Sequence, residues 1–357
     1  MRNLLLAFFL MPAVLWAGAD DFARVRRAVC QGVYYPPTPE ALSAAVRQYL
    51  SEAEVIDLPG PVVGCIVPFA SYPYSATVAA HAFKPLQKGQ YKRVIVIAPS
   101  MYATYDNCSI PLVRYYQTLL GNIELDGPAV RDLIMSAYFE ERSVIYNASV
   151  YRSVETQRVA LHEREWASES ILPFLQEQLG TFHLVPIVVG DVYKDGAIDM
   201  RRVDEIAREL RTIMDESTLV VAACNFTQYG DIYNFAPFRE NIKQKIGELD
   251  MAAFEYVTNR NPAGFVSYVD QSDNNFLGRA VVAIFLRAIS PSARGVLLSY
   301  NTSANVSGKT DASTSYAAFA FFDPTRPMPA KPAATASGTK VEETAQDAPS
   351  NDSVGAQ

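Results

Sequence analysis

The chain has 357 residues, with 31 Lys and Arg against 38 Asp and Glu, which gives a formal net charge of −7. A chain this acidic, without a long basic run, lacks the positive surface that a phosphate backbone requires, so nucleic acid is excluded as a partner. Apolar residues make up 49% of the chain, as in a globular protein with a real core.

The N-terminus predicts an export signal. Arg2 is followed by an apolar run over residues 4–16 and by the small residues Ala17, Gly18 and Ala19, which are the three parts of a secretory signal peptide. We expect cleavage after Ala19 and a secreted or periplasmic protein that is not integral to a membrane. The run is shorter than the roughly 20 residues of a spanning helix, and an uncleaved anchor stays the alternative.

The composition divides the rest of the chain into two parts. The stretch 324–357 contains no aromatic residue, no Ile and no Leu, so it cannot bury enough apolar surface to offset the entropy of ordering, and we predict that it is disordered. Residues 20–323 contain no linker-like interruption. We therefore predict one folded domain over residues 20–323, preceded by a signal peptide over residues 1–19.

Apolar strands and amphipathic helices alternate along this domain. Unbroken apolar runs, typical of strands covered on both faces, occupy residues 62–67, 93–100, 182–190 and 219–226, and closing strands are predicted at residues 295–303 and 313–322. Helices are predicted near residues 38–52, 75–87, 128–139, 200–215, 242–258 and 275–289. This alternation predicts an α/β fold with parallel strands.

The loops that follow the apolar strands are the candidate site, because ligands bind beyond the carboxyl ends of strands in open parallel sheets. The side chains there are Phe69, Ser71, Tyr72, Ser100, Met101, Tyr102, Asp191, Asn225, Thr227, Gln228 and Tyr229. This set has no histidine and one carboxylate, whereas a metal site needs several His, Cys or carboxylate donors and a general base needs a tunable group. Aromatic rings, hydroxyls and amides instead indicate a pocket for a neutral small molecule or peptide.

The segment PFASYPYSA at residues 68–76 resembles the P-H-A-G-Y-x-Y-S-G motif of the Memo family, also called AmmeMemoRadiSam system protein B. Further resemblances follow in family order at residues 32–36, 98–100, 116–126, 165–175 and 225–230. Together they span residues 24–322. The resemblance implies the α/β sandwich that Memo-like proteins share with extradiol-type non-haem iron dioxygenases, so we expect a single three-layer α/β/α domain with a mixed, mainly parallel central sheet.

The resemblance also implies a metal held by two His and one Cys, and all three positions are changed in this chain. Phe69, Met101 and Leu277 occupy them, and two further family histidines are replaced by Trp166 and Gln228. Phenylalanine and leucine have no donor atom, and a thioether is a soft ligand that suits mainly copper(I). We therefore predict no metal, no other cofactor and no catalytic residue.

The first hypothesis is an exported, Memo-like binding or scaffold protein without catalytic activity, whose partner is a protein, a peptide or a small molecule. Its predicted pocket is lined by Phe69, Ser71, Tyr72, Ser100, Met101, Glu165, Trp166, Glu169, Asn225, Gln228, Tyr229 and Leu277. The bulk of Phe69, Met101 and Trp166 could also fill this pocket completely. In that case the protein acts through its outer surface.

The rival hypothesis is an enzyme: a metal-dependent oxidoreductase or hydrolase that holds iron or copper through shifted ligands, or an enzyme that uses polar groups alone. The candidate shifted ligands are Met101, His162, Glu165, Glu169 and Asp191. The hypotheses differ in whether His162 and the glutamates converge on the loop at Phe69. The structural interpretation places His162 on an exposed charged face, and places both glutamates, four residues apart, on one face of a helix near its N-terminus.

The four cysteines do not indicate a metal site, because none of them forms a CxxC pair. Cys65 and Cys224 lie in apolar strands, which favours burial as small residues. Export would allow disulfides, and the pairing of Cys30, Cys65, Cys108 and Cys224 stays open.

Overall fold

The computed structural model describes residues 24–150 and 153–328, and over residues 146–150 and 153–156 it describes the backbone only. The predicted signal peptide, and all but the first five residues of the predicted tail, lie outside the described residues. Within the described ranges, no helix combines the length and the apolar character that a membrane crossing requires.

The helices agree closely with the sequence pattern. They are α1 Pro39–Glu52, α2 Tyr72–Phe83, α3 Gly127–Ile134, α4 Ala167–Leu179, α5 Met200–Thr212, α6 Ile242–Thr258, α7 Pro262–Gln271, α8 Arg279–Ala288 and α9 Ser303–Ser307. Thr38 caps α1, where its hydroxyl accepts from the Ala41 N–H at 3.3 Å, and Asp126 caps α3, where its carboxylate accepts from the Ala129 N–H at 3.1 Å.

Two predicted helix starts were wrong, and two helices were missed. Helix α2 begins at Tyr72, three residues before the predicted start at residue 75, because Pro73 suits a first helical turn; Ser71 is its N-cap. Helix α8 begins at Arg279, later than predicted, because Gly278 adopts a φ of 104° that stops a helix from extending backwards. Helices α7 and α9 were not predicted, and α3 ends at Ile134 rather than near residue 139.

The strands are β1 Val25–Arg26, β2 Val62–Val67, β3 Arg93–Pro99, β4 Cys108–Ser109, β5 Tyr115–Thr118, β6 Gly121–Glu124, β7 Phe139–Glu140, β8 Ser143–Val150, β9 Ser153–Ala160, β10 His183–Val189, β11 Tyr193–Lys194, β12 Ala197–Ile198, β13 Thr218–Ala223, β14 Gln228–Gly230, β15 Arg294–Thr302 and β16 Ala312–Phe322. All six predicted strands are present. The short strands and the hairpin β8–β9 were not predicted, since short or polar segments carry no clear apolar period.

The central sheet has the strand order β14-β16-β2-β13-β3-β10-β4-β7, and β15 pairs with β16. Its four middle strands, β2, β13, β3 and β10, are parallel, whereas β16 and β4 run antiparallel to their neighbours β2 and β10. Helices α1, α2 and α4 contact one another, and helices α5 to α8 form a second group. The predicted α/β fold with a mixed central sheet flanked by helices is therefore confirmed.

Packing in the centre of the sheet is tight at Gly64 of β2. A Cβ atom on Gly64 would come within 2.7 Å of a ring carbon of Phe285 on α8, and real Cβ atoms do not tolerate such a contact. The missing side chain lets α8 lie directly against the parallel strands. This positions the N-terminus of α8, and the residues that precede it, beside the carboxyl ends of these strands.

Candidate functional site

The side chain of Asn225 joins two of the loops at the carboxyl edge of the sheet. Its Nδ2 donates to the Phe69 carbonyl at 2.7 Å, and its Oδ1 accepts from the Phe69 N–H at 3.0 Å. The Asn225 N–H donates to the Leu277 carbonyl at 3.0 Å. The structure thus brings these three predicted residues together. The side-chain amide of Asn225 is buried, and its oxygen and its nitrogen are both hydrogen-bonded to the Phe69 backbone.

Aromatic rings fill the space beside this amide. The Phe69 side chain is 1% exposed, and its ring meets the edge of Trp166 with the centroids 5.4 Å apart. Trp166 in turn stacks on Tyr34, at a centroid distance of 3.8 Å and an interplanar angle of 12°. The aromatic stack of Tyr34, Trp166 and Phe69 therefore occupies the position where the predicted pocket would open. Tyr34 was not among the predicted site residues, although its segment at residues 32–36 carried a family motif.

Glu165 holds the loop that follows β3. Its carboxylate accepts from the N–H groups of Met101 at 3.0 Å and Tyr102 at 3.3 Å, and from the Ser100 hydroxyl at 2.9 Å. Burial raises the pKa of Glu165, and these hydrogen bonds oppose the rise. The carboxylate serves backbone donors, so it positions the loop.

Glu169 is fully buried and turns towards the N-terminal segment. It forms an ion pair with Arg26 and accepts from the N–H groups of Val29 at 2.9 Å and Cys30 at 3.0 Å, and from the Tyr35 hydroxyl at 2.6 Å. These four donors leave its carboxylate well satisfied. Glu169 therefore fastens the N-terminal segment to α4.

Arg26 completes the same buried network. Its side chain is 1% exposed, donates to the carbonyls of His162 at 2.6 Å and of Glu165, and lies over the Tyr116 ring with its guanidinium carbon 4.3 Å from the centroid. A buried cation needs such partners, because desolvation of a charge is costly. Arg26 was not predicted as a site residue, since a lone arginine in sequence gives no sign of burial.

The expectation that Glu165 and Glu169 share a helix face was wrong. Helix α4 begins at Ala167 with Trp166 at the N-cap, so Glu165 precedes the helix and faces the β3 loop. Both glutamates are buried rather than placed at a solvated helix end.

The prediction that His162 lies on an exposed charged face was also wrong, because this histidine is 1% exposed. Its Nε2 donates to the Ser109 carbonyl at 3.1 Å, and its Nδ1 has no hydrogen-bond partner among the described residues. Burial lowers the pKa of His162 to about 3. The ring is therefore neutral and packed against the core.

The remaining predicted residues serve packing or local turns. The Tyr72 hydroxyl donates to the Ser170 carbonyl at 3.1 Å, and the Ser71 hydroxyl donates to the Val33 carbonyl at 3.1 Å. Tyr229 is buried and donates to the Phe238 carbonyl. Two further residues lie at the carboxyl edge of the sheet. The Gln228 N–H donates to the Asn275 side-chain oxygen at 3.1 Å, and the Asp191 carboxylate accepts from the Tyr193 N–H at 2.7 Å.

A cavity of about 280 Å³ lies beside this edge, between the loop after β3 and the start of α8. Of the twelve residues predicted to line a pocket, Ser100 and Leu277 line this cavity. Phe69, Trp166 and Met101 do not line it, because their side chains pack against the core or one another.

A second buried polar cluster was missed by the sequence analysis. The Asp250 carboxylate accepts from the Thr227 hydroxyl at 2.7 Å and from the Tyr300 hydroxyl at 2.6 Å, and the Asn274 amide donates to Thr227 at 2.8 Å. Burial raises the pKa of Asp250. The signal in the sequence was a single Asp in an otherwise amphipathic helix, which ordinarily indicates a solvated face.

All four cysteines are buried and none is in a disulfide. Burial raises the pKa of the Cys224 thiol, so this group is a poor nucleophile. Across the described ranges, no group of three or more His, Cys, Asp or Glu side chains is arranged to hold a metal ion.

Comparison with known proteins agrees with this architecture. The family model for Memo-like proteins matches residues 26–320. The chain belongs to the Memo family. Similar relatives include Protein MEMO1 of Danio rerio, 25% identical over 82% of this chain and 96% of the relative, and Protein MEMO1 of Homo sapiens, 24% identical over 82% and 97%. Protein memo-1 homolog of Caenorhabditis elegans is 25% identical over 88% of this chain and 87% of the relative.

Replacing Arg26 is expected to destabilise this Memo-family fold strongly. In Arg26→Ala the Glu169 carboxylate stays buried without its cation, which should lower the free energy of unfolding by about 3–5 kcal/mol. Arg27→Ala is the matched control, because Arg27 is the exposed neighbour and its loss should change stability by less than about 0.5 kcal/mol. Urea unfolding followed by circular dichroism measures both. Equal effects would contradict the assigned role of Arg26.

His162 predicts a loss of stability in acid. Its pKa falls from 6.5 in the unfolded chain to about 3 in the folded protein. Between these two pH values the unfolded state binds a proton at His162 and the folded state does not. Stability is full above pH 6.5 and falls as the pH drops towards 3, by up to about 1.4 kcal/mol per pH unit. His162→Gln keeps a donor for Ser109 and should flatten this slope, whereas His81→Gln should not. An unchanged slope in His162→Gln contradicts the assignment.

Proposed function

We propose that this Memo-family protein is a non-catalytic binding or scaffold protein, in which packed side chains replace the family metal site. The support is the burial of the Phe69 ring against Trp166 at the position that the family resemblance gives to a metal ligand. The other two such positions hold Met101 and Leu277. One thioether and two hydrocarbon side chains do not fit an iron centre, which prefers imidazole and carboxylate donors.

The geometry does not support the rival hypothesis of an enzyme that holds a metal through shifted ligands. Glu165 faces the N–H groups of the β3 loop, Glu169 faces Arg26, and His162 faces the Ser109 carbonyl. The three side chains point to different partners and do not converge on Phe69. No specific observation favours catalysis without metal.

The outer surface around the aromatic stack supports a protein or peptide as the partner. Val33 is 67% exposed, Tyr102 is 49% exposed and Tyr74 is 38% exposed. Val33 precedes Tyr34, and its carbonyl accepts from the Ser71 hydroxyl at the start of α2, whose first turn contains Tyr74. Tyr102 lies in the loop whose N–H groups bind Glu165, the residue before Trp166. Exposed tyrosines and aliphatic side chains beside a rigid aromatic cluster are the composition of an interface core.

Export belongs to the same proposal and is supported by the signal-like residues 1–19. The intact mass of the secreted protein should then correspond to a chain that begins at Asp20. A mass that retains Met1 or Arg2 in the secreted fraction would contradict cleavage after Ala19.

The metal content of the purified protein tests the proposal. Protein prepared without chelator or affinity metal, then incubated anaerobically with Fe(II) or Cu(I) and desalted, should contain metal well below one atom per chain by elemental analysis. The matched comparison is the triple variant Phe69→His, Met101→His, Leu277→Cys, which restores the family donors and should retain more metal. Near-stoichiometric metal in the unsubstituted protein would overturn the proposal, whatever the variant does.

A further inference from the structure

A larger cavity, of about 740 Å³, opens at the opposite edge of the central sheet. Arg93 and His183, the first residues of β3 and β10, line it, whereas the candidate site follows the last residue of β3. The seven residues of β3 place the two edges roughly 20 Å apart. This N-edge cavity is therefore separate from the family site.

One part of the wall of the N-edge cavity is apolar. Leu112, Val113, Leu125, Pro128 and Val130 line it. Leu125 and Val130 are buried and Leu112 is 40% exposed, so the apolar surface extends from the interior to the mouth. A volume of this size lies within the range of about 300–1,000 Å³ that is usual for small-molecule pockets.

The charged side chains at the N-edge cavity leave one positive charge in excess. Four arginines and three acids line it, and three of the arginines pair with the acids: Arg93 with Asp126 at 2.7 Å, Arg114 with Glu124 at 3.2 Å, and Arg24 with Glu141 at 3.9 Å. Arg131 is the fourth arginine, and the described residues provide no acidic partner for it. One surplus cation beside an apolar wall matches a ligand with one negative charge and an apolar body.

The N-terminus of α3 borders this cavity but is already capped. Asp126 accepts the Ala129 N–H at 3.1 Å, and Pro128 has no N–H. The helix end therefore offers little to a phosphate, and recognition of an anion depends on the guanidinium of Arg131.

We propose that the N-edge cavity binds a small amphipathic carboxylate. The carboxylate pairs with Arg131, and the hydrocarbon part lies against Leu112, Leu125 and Val130. His183 stands at the rim, with its Nε2 4.0 Å from a Glu124 carboxylate oxygen, and so reports occupation of the cavity. This site does not depend on the function proposed for the carboxyl edge.

Titration of the full-length protein with octanoate tests the proposal, with octanol as the uncharged ligand of equal chain length and inorganic phosphate as the anion without a hydrocarbon body. The chain has three histidines, so the ring-proton NMR signal of His183 can be assigned as the one that His183→Gln removes. Octanoate should shift this signal in a saturable manner and leave the His81 signal in place. Octanol should bind about tenfold more weakly or worse, and phosphate should cause no saturable shift.

Two substitutions at the cavity should weaken octanoate binding by about tenfold or more. Arg131→Gln removes the surplus charge, and Leu112→Asp places a like charge at the mouth. Arg201→Gln, which removes an exposed arginine from α5, is the matched control and should bind as the unsubstituted protein does. Calorimetry gives the dissociation constants, and thermal unfolding checks that each variant is folded.

The proposal would be overturned by the absence of an octanoate-dependent shift of the His183 signal, by equal affinity for octanoate and octanol, or by unchanged affinity in the folded Arg131→Gln protein. Equal weakening in Arg201→Gln would also overturn it, because the effect would then reflect net charge rather than this cavity.

Discussion

The buried ion pair between Arg26 and Glu169 is the interaction on which the rest of the site depends. Both side chains are almost completely removed from solvent, so each needs the other together with hydrogen bonds to compensate for desolvation. Those hydrogen bonds come from the backbone of the N-terminal segment and from the chain that leads into α4. The pair therefore fixes two segments, far apart in sequence, in one arrangement.

This arrangement determines how the side chains pack at the carboxyl edge of the sheet. With the N-terminal segment held by Glu169, Tyr34 lies on Trp166 and Trp166 lies against Phe69. Glu165, one residue before Trp166, holds the loop that carries Met101. The fold keeps its loops at this edge. The aromatic stack and the Asn225 amide, which is hydrogen-bonded to the Phe69 backbone, fill the space between them. We infer that such an edge serves binding from the outside rather than chemistry within.

The sequence predicted the fold better than the site, for a physical reason. An apolar run such as residues 62–67 identifies a buried strand by itself, because burial on both faces demands apolar side chains throughout. The roles of Glu165, Glu169 and His162 depend on burial and on partners that lie far away along the chain. These partners are the Met101 N–H for Glu165, Arg26 for Glu169 and the Ser109 carbonyl for His162. Periodicity does not encode such contacts, so the sequence analysis placed His162 on an exposed face and both glutamates together on one face of a helix.

Anomalous X-ray scattering from crystals grown with Fe(II), and separately with Cu(I), tests the central claim most directly, because it locates a metal rather than counting it. If side-chain packing has replaced the metal centre, difference maps at the iron and copper edges will show no peak among Phe69, Met101 and Leu277. A peak within bonding distance of side-chain atoms there, or between His162 and the two glutamates, would contradict the account and identify the ligands of a metal centre.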